Sequence, residues 1–458
     1  MQDIEIASAV DITASGLRTT TLPNLFSSNA MLKWLTDGSS TYVGLSPAVN
    51  GLQLVTDSVD FMVDCLVGQY AVMVYADYVV QTSGGAKHLR LLADAEKHVS
   101  RDTFDFGPLI VCRRADAIKA LADAPECQTS SFYALTLGLQ RIGSLYHTGV
   151  PVGFTFDTDM RDSGIRQFDY VNPINIEVQK EREVILTAHL KAINAMAAEP
   201  DNRKEVKSHT QFKRRASVII PVKNRVKTVA DAIRSALSQH TSFDFNVIVV
   251  DNHSDDGTTE LLANLEAENE QIVHIIPQRD DLGIGGCWNE AVASPECGKY
   301  AVQLDSDDLY SSNDSLQKMV DKLSEHPYAL VVGSYKLVDF NLSDLPPGVI
   351  DHREWTDRNG ANNILRIYGM GAPRAFDTEW LRHHPMPNVS YGEDYATVLR
   401  ATRQYLVGRI FDVVYLCRRW GGNSDAGLTE KAQAAHDAYK DRLRSDEIDA
   451  RIAMNTKK

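Results

Sequence analysis

No run of about 18 or more apolar residues occurs anywhere in the chain, so a transmembrane helix is not expected. Close cysteine pairs are also lacking. Cys65, Cys112, Cys127, Cys287, Cys297 and Cys417 are scattered without CxxC spacing, which argues against a zinc site or a disulfide framework and fits a reducing cytoplasm. Basic residues are outnumbered, 47 Lys and Arg against 61 Asp and Glu, and a net charge of -14 argues against general nucleic-acid binding. The opening "MQDIEIASAVDITASG" has no basic-then-apolar leader, so export is not expected. What is present is a soluble composition, 43% hydrophobic and 24% charged, over 458 residues. That length exceeds one ordinary core and predicts two or three domains.

From Ala216 the pattern becomes regular. "ASVIIPV" (216–222) is a β-branched run, and "KNRVKTVADAIRSALSQ" follows with apolar residues at helical spacing. "FNVIVV" (245–250) predicts a second buried strand, leading through "DNHSDDGT" into the helix "TELLANLEAE". "QIVHIIP" (271–277) predicts a third strand, "GIGGCWNEAVAS" a loop entering a helix, and "KYAVQL" (299–304) the next strand. This alternation predicts an α/β domain built on a doubly wound sheet. In such sheets ligands lie beyond the carboxyl ends of the strands, where the polar clusters after Val222, Val250, Pro277 and Leu304 fall. The last cluster sets Asp305, Asp307 and Asp308 side by side. It is either a solvated acidic turn or a set of oxygen ligands whose repulsion a hard divalent cation cancels.

The first half echoes the second. "TYVGLSPAVNGLQLVTDSVDFMVDCLVGQYAVMVYADYVV" can be laid over "KYAVQLDSDDLYSSNDSLQKMVDKLSEHPYALVVGSYKLVD", and "SFYALTLGLQRIGSLYHTGVPVGFTFDTDMRDSG" over "EDYATVLRATRQYLVGRIFDVVYLCRRWGGNS". Identity is thin, and the paired spacings favour a decayed duplication. Ser46, Pro47 and Ala48 then take the place of the acidic cluster, and Phe132 that of Asp394. With only a short stretch ahead of this repeat, the front half is expected to lack the two leading nucleotide-binding strands.

Five pieces in order, "SVIIPVKNR", "VIVVDNHSDDGT", "DDLGIGGCWNEA", "QLDSDDL" and "GEDYA", resemble the inverting glycosyltransferases of family 2, which have the GT-A fold. The resemblance implies a Rossmann-like, doubly wound mixed sheet. It divides the chain into a degenerate, non-catalytic GT-A-like domain at 1–180, a helix and linker at 181–213, a catalytic domain at 214–428 and a helical tail at 429–458. It further implies a hexosyltransferase-like enzyme of polysaccharide biosynthesis. Such an enzyme moves sugar from a nucleotide-diphosphate donor, a UDP-sugar in the commoner case, to the hydroxyl of a glycan or lipid-linked glycan. The setting would be the cytoplasm or the inner face of the membrane, with peripheral contact only.

Residue by residue, the resemblance makes Asp305 and Asp307 a DxD motif holding Mn²⁺ or Mg²⁺, with Asp308 a third ligand or its support. Pro221, Val222, Asn224 and Arg225 would pass the base and ribose, and Ser306 would lie beside the donor. Asp251 and Asn252 would meet the base edge. The second of these is Asp in most relatives, and an amide leaves the base less defined because it both donates and accepts. Arg279 could stack on the base, and Gly283, Gly285 and Gly286 would admit the donor, with Asn289 on the helix beyond. Turn and cap chemistry accounts equally well for Asp255 and the glycines. Asp394 would be the general base and Glu393 its partner, although acids in a first helical turn also suit the helix dipole. Arg374 would hold phosphate or acceptor, and Arg418 and Arg419 the pyrophosphate, with Trp420 against the sugar or simply packed. Many relatives carry a His near Trp420 that reaches the metal, and none stands here. Leu416 replaces the Gln of processive relatives, which argues against processive synthesis. The loop at 339–363 would select the acceptor. Two other readings remain: a nucleotidyltransferase acting on a sugar phosphate, although "PVKNRVKT" lacks its glycine-rich loop, and a non-catalytic nucleotide-sugar-binding scaffold.

Overall fold

The structure is a computed structural model and describes residues 2–82, 84–156, 175–353, 355–367, 370–423 and 428–457. The end of the repeated stretch (157–164), Glu354, Gly369, Ser424 and Asp425 lie outside the described residues. The chain forms two compact units, Met1–Met196 with Leu365–Ile367 and Asp441–Lys458, and Ala197–Ile364 with Tyr368–Lys440. The division after Met196 falls within the stretch expected to hold a helix and linker, and the helix itself is Ile176–Ala192. The sequence predicts a separate tail from residue 429. Instead the helix Glu430–Thr456 contributes residues to both units. Its Arg444 and Arg451 are fully buried because Asp441 and Glu447, one turn away, pair with them at 2.9 and 2.7 Å.

The N-terminal unit is built on strands β1 (Ile4–Ser8), β2 (Ile12–Thr13), β3 (Arg18–Thr21), β4 (Tyr42–Ser46), β5 (Leu52–Leu54), β6 (Met73–Ala76), β7 (Tyr78–Gln81), β8 (Lys87–Arg90), β9 (Ile110–Arg113), β10 (Leu145–Thr148) and β11 (Gly153–Phe156). Among the described residues they form a six-stranded sheet, β10-β6-β9-β4-β1-β3, and a five-stranded sheet, β2-β5-β11-β7-β8. Ile4, Ile6, Val59, Met62, Val63, Leu66, Val74 and Val111 meet in its core.

The second unit carries β12 (Ala216–Val222), β13 (Phe245–Asp251), β14 (Ile272–Ile275), β15 (Tyr300–Gln303), β16 (Leu309–Tyr310), β17 (Leu330–Val338), β18 (Asp344–Ile350), β19 (Arg374–Asp377) and β20 (Val407–Arg418). They form one mixed sheet, β14-β13-β12-β15-β19-β17-β20-β16, with β18 paired to β17. The strands expected from β-branched runs are all present, and the intervening helices Val229–Leu237, Thr258–Glu268 and Ile284–Ala293 follow the expected periodicity. The doubly wound mixed sheet is therefore the observed fold. Its middle strands read as continuous apolar runs because both faces are covered, with Val218, Ile220, Val247, Val249 and Val302 buried.

The two units share a path. β3-β1-β4-β9-β6-β10 and β13-β12-β15-β19-β17-β20 have the same order along the chain, and every pairing has the same direction: parallel, parallel, antiparallel, antiparallel, parallel. The front half thus does contain counterparts of the two leading strands, against expectation. β1 and β3 are joined through residues 9–17, where β12 and β13 are joined through the helix Val229–Leu237. A second difference follows from strand continuity. β17 stays one strand by shifting register between Val332 and Tyr335, whereas its counterpart is cut at Asp77 into β6 and β7 and the sheet divides.

Candidate active site

The acidic cluster begins where β15 ends, as expected. Asp305 Oδ1 accepts from Gln303 Nε2 at 2.9 Å, and its backbone N donates to the Tyr415 hydroxyl at 3.0 Å. Asp308 is buried and accepts from Arg418 N at 2.8 Å, while its own N donates to Asp305 O at 3.1 Å. Asp307 Oδ2 accepts from Trp420 Nε1 at 3.0 Å and from Asn423 Nδ2 at 3.1 Å. Burial, then the charges of Asp305 and Asp307, push Asp308 well above the usual carboxylate range. Asp305 is also raised, by burial and by the charge of Asp307. This crowding is the electrostatic deficit that a cation offsets. No three His, Cys, Asp or Glu side chains converge on one point among the described residues. Asp305 and Asp307 could hold a divalent cation only with water and phosphate completing its shell.

The second acidic set lies at the start of the helix Glu393–Gln404, after Gly392, whose φ of 80° is the left-handed conformation that favours glycine. Asp394 Oδ2 pairs with Arg374 Nη1 at 2.8 Å, and Oδ1 accepts from Tyr395 N at 2.6 Å. Burial works to raise Asp394, but Arg374 and Lys440 outweigh it and hold the carboxyl below its ordinary value. Glu393 moves the other way. It is buried, its Oε2 has no hydrogen-bond partner among the described residues, and burial plus the charge of Asp394 push it up to about 8. Near neutral pH the pair is one carboxylic acid and one carboxylate. Gln303 links the two acidic sets, because its side-chain oxygen accepts from Arg374 N at 3.1 Å while its amide donates to Asp305.

At the other strand ends the expected residues are placed as follows. Asp251 is fully buried. Burial alone would raise it, but the His274 ring 3.5 Å away and hydrogen bonds from Ser254 and Thr259 hold it low, and those two bonds occupy one oxygen each. Asn252 is buried, its N donates to Val222 O at 2.8 Å, its amide donates to Leu282 O at 2.8 Å, and its Oδ1 has no partner. Asn224, at φ 56°, accepts from Asp255 N at 2.9 Å. Arg225 reaches across to Gly422 O at 2.9 Å. Pro221 is half-buried beside the buried Val222, and Ser306 is buried within the acidic turn.

Several expected donor-binding residues are already occupied by protein. Arg279 forms a two-pronged, exposed pair with Asp281 at 2.8 and 2.7 Å. Asn289 exchanges hydrogen bonds with the backbone of Met386 at 2.9 and 3.0 Å. The space beside Gly285 is filled by Pro387 O and Glu393 Cβ, so its missing side chain admits the segment leading to the acidic pair. Arg418 is buried, donates to Asp307 O, approaches Asp231 at 3.4 Å and lies 4.6 Å over the Phe340 ring. Arg419 donates from its backbone N to Val338 O at 2.8 Å, and Trp420 packs edge-on to Phe340 at 5.2 Å. Gln303, Tyr415 and Asn423 were not singled out from sequence. A lone polar residue ending the apolar strand "YAVQ" is a signal that could have found Gln303.

No helix among the described residues is long and apolar enough to cross a membrane. The model of the family described as glycosyl transferase family 2 matches residues 217–382. TuaG of Bacillus subtilis, named for teichuronic acid biosynthesis, is 28% identical over 191 residues, 42% of this chain and 73% of that protein. The "GalNAc(5)-diNAcBac-PP-undecaprenol beta-1,3-glucosyltransferase" of Campylobacter jejuni is 31% identical over 118 residues, and the chain spans 37% of its length. Among solved structures, residues 1–349 of TarS from S. aureus, in complex with UDP-GlcNAc, give a TM-score of 0.40 at 20% identity over 51% of this chain and 66% of that one. Residues 217–382 are a family 2 glycosyltransferase domain.

Proposed function

We propose that the C-terminal unit transfers a sugar, with inversion, from a uridine-diphosphate sugar to a glycan hydroxyl. The observation that carries this reading is the split acidic pair next to the strand-end carboxylates. A hydroxyl is a poor nucleophile until its proton leaves, and Asp394 is the ionised group able to take it. Arg374 orients that carboxylate, and its charge keeps it deprotonated. Glu393 retains its proton, which removes a second negative charge from beside the base and leaves an O–H to donate. Asp305 and Asp307 would hold Mn²⁺ or Mg²⁺, which supplies neutralisation of the departing diphosphate.

Asn252 supports uridine. One of its amide hydrogens goes to Leu282 O, and its Oδ1, without a partner among the described residues, offers an acceptor to a base. The imide N–H of uracil complements it, whereas the ring nitrogen of cytosine at that edge is itself an acceptor. A panel of UDP-, GDP- and CDP-sugars, scored by released nucleoside diphosphate with the product's anomeric configuration read by NMR, tests the proposal. UDP release with inversion is expected. Retention of configuration would sink the assignment of Asp394, and pyrophosphate formed from a nucleoside triphosphate would indicate a nucleotidyltransferase instead.

A further inference from the structure

The loop after β20 carries an arrangement at Asp307 that the transfer reaction by itself does not explain. Asn423 commits its whole side chain: Nδ2 donates to Asp307 Oδ2 at 3.1 Å and to Arg418 O at 3.0 Å, and Oδ1 accepts from Trp420 N at 2.6 Å. Its backbone N donates to Trp420 O at 3.2 Å, closing the turn that places the indole. That indole gives the same Asp307 oxygen a second bond, at 3.0 Å. A carboxylate oxygen has about two lone-pair positions, so Oδ2 is filled, while among the described residues no hydrogen bond engages Oδ1. Both donors are neutral. The Arg418 guanidinium goes to the backbone oxygen of Asp307 and to Asp231 instead of the carboxylate. The arrangement fixes the rotamer of Asp307 without cancelling its charge.

We propose that Asn423 is a positioning residue that selects the oxygen with which Asp307 meets a divalent cation, holding Oδ2 back and presenting Oδ1. The inference rests on the reading of Asp305 and Asp307 as the cation's carboxylates. An amide does not titrate, so the selection holds at every working pH. Groups that orient a metal-binding side chain commonly change metal affinity about tenfold or more when removed.

The test is Mn²⁺ titration of the full chain with UDP present, free Mn²⁺ being read by electron paramagnetic resonance. Asn423→Ala should raise the Mn²⁺ dissociation constant about tenfold, while saturating Mn²⁺ restores most of kcat. Asn423→Asp keeps the shape but loses both N–H groups, so its constant should rise at least as far. Trp420→Phe, which loses one donor and keeps a ring, should give a smaller rise. A merely structural role would lower kcat and melting temperature together and leave the Mn²⁺ constant in place, overturning the proposal. Tighter binding by Asn423→Asp would overturn it too, by making the position a ligand. The underlying reading fails separately, if Asp307→Asn binds Mn²⁺ as the wild type does. If Asp307→Asn loses binding while Asn423→Ala matches wild type, only the role of Asn423 falls.

Discussion

β4 and β15 start on corresponding tyrosines, Tyr42 and Tyr300, and each lies between a parallel neighbour and an antiparallel one. Past their ends the chain reads Ser46, Pro47, Ala48 in one unit and Leu304, Asp305, Ser306, Asp307 in the other. Register extends the contrast. Tyr42 faces Arg113 as Tyr300 faces Asp377, which puts Ile110 at the place of Arg374. The helices Ser131–Gln140 and Glu393–Gln404 correspond, so Ser131 and Phe132 stand where Glu393 and Asp394 do. Ser131 donates to Leu25 O at 2.8 Å, and Phe132 packs 5.5 Å from Phe26. The carboxylate and the arginine paired with it are absent together, as expected if the buried arginine is costly to leave without its partner. A sheet needs only its apolar interior to persist. The carboxylates at its ends are a cost to the fold and answer to chemistry.

Removing the acidic cluster should have the largest effect. Asp307→Asn, or excess chelator on the wild type, should lower transfer by about 10⁴-fold, since a cation at the leaving group is worth several kcal/mol. Full activity under chelation would erase the distinction between the units at these strand ends. Next comes Asp394→Asn, with a loss of about 10²–10⁴-fold in kcat and nearly unchanged donor affinity, because the amide keeps shape but takes no proton. Wild-type turnover by that variant would place the base elsewhere.

Nucleotide stoichiometry sharpens the comparison from the other side. Calorimetric titration of the full chain with UDP and Mn²⁺ should give one site, and Asp307→Asn should remove it. A second site surviving that substitution would show that the N-terminal unit had kept the capacity its sequence lacks.

The smallest effect concerns proton linkage. Glu393 sits at about 8 in the fold against an ordinary value of 4.5. It thus holds a proton that the unfolded chain has released, and its contribution to stability, full below about pH 4.5, is lost as pH rises through about 8. Glu393→Gln should match the wild type near pH 5 and melt a few degrees higher near pH 8.5, by differential scanning calorimetry. Parallel profiles would mean the pair is not split as described. Phe132→Leu, at the matching place in the first unit, should leave the pH dependence unchanged.

Much of the C-terminal unit was legible because local signals agreed. Buried parallel strands are continuous apolar runs, and turn residues mark their ends. The acidic cluster at 305–308 is legible as unusual charge at such an end, and Glu393 and Asp394 through the family resemblance. The partners of these residues were not. That Arg279 turns to Asp281, that Asn289 binds Met386 and that Gly285 admits Pro387 depend on which loop crosses which helix. The helix Glu430–Thr456 looks like a tail in sequence because pairs one turn apart look the same whether solvated or buried.

The sequence by itself determined the strand and helix alternation of residues 216–304, the outline of the repeat and the positions of the acids, since these rest on spacing and residue type along one stretch of chain. Tertiary structure alone decided their chemistry. Glu393 and Asp394 are adjacent acids of nearly equal intrinsic strength, and they part because Arg374, from β19, and Lys440 act on one of them while burial isolates the other. Likewise Asp307 has two equivalent oxygens until Trp420 and Asn423, more than a hundred residues later in the chain, fold back to occupy one. Electrostatic energy depends on distance in space, which the order of residues does not contain.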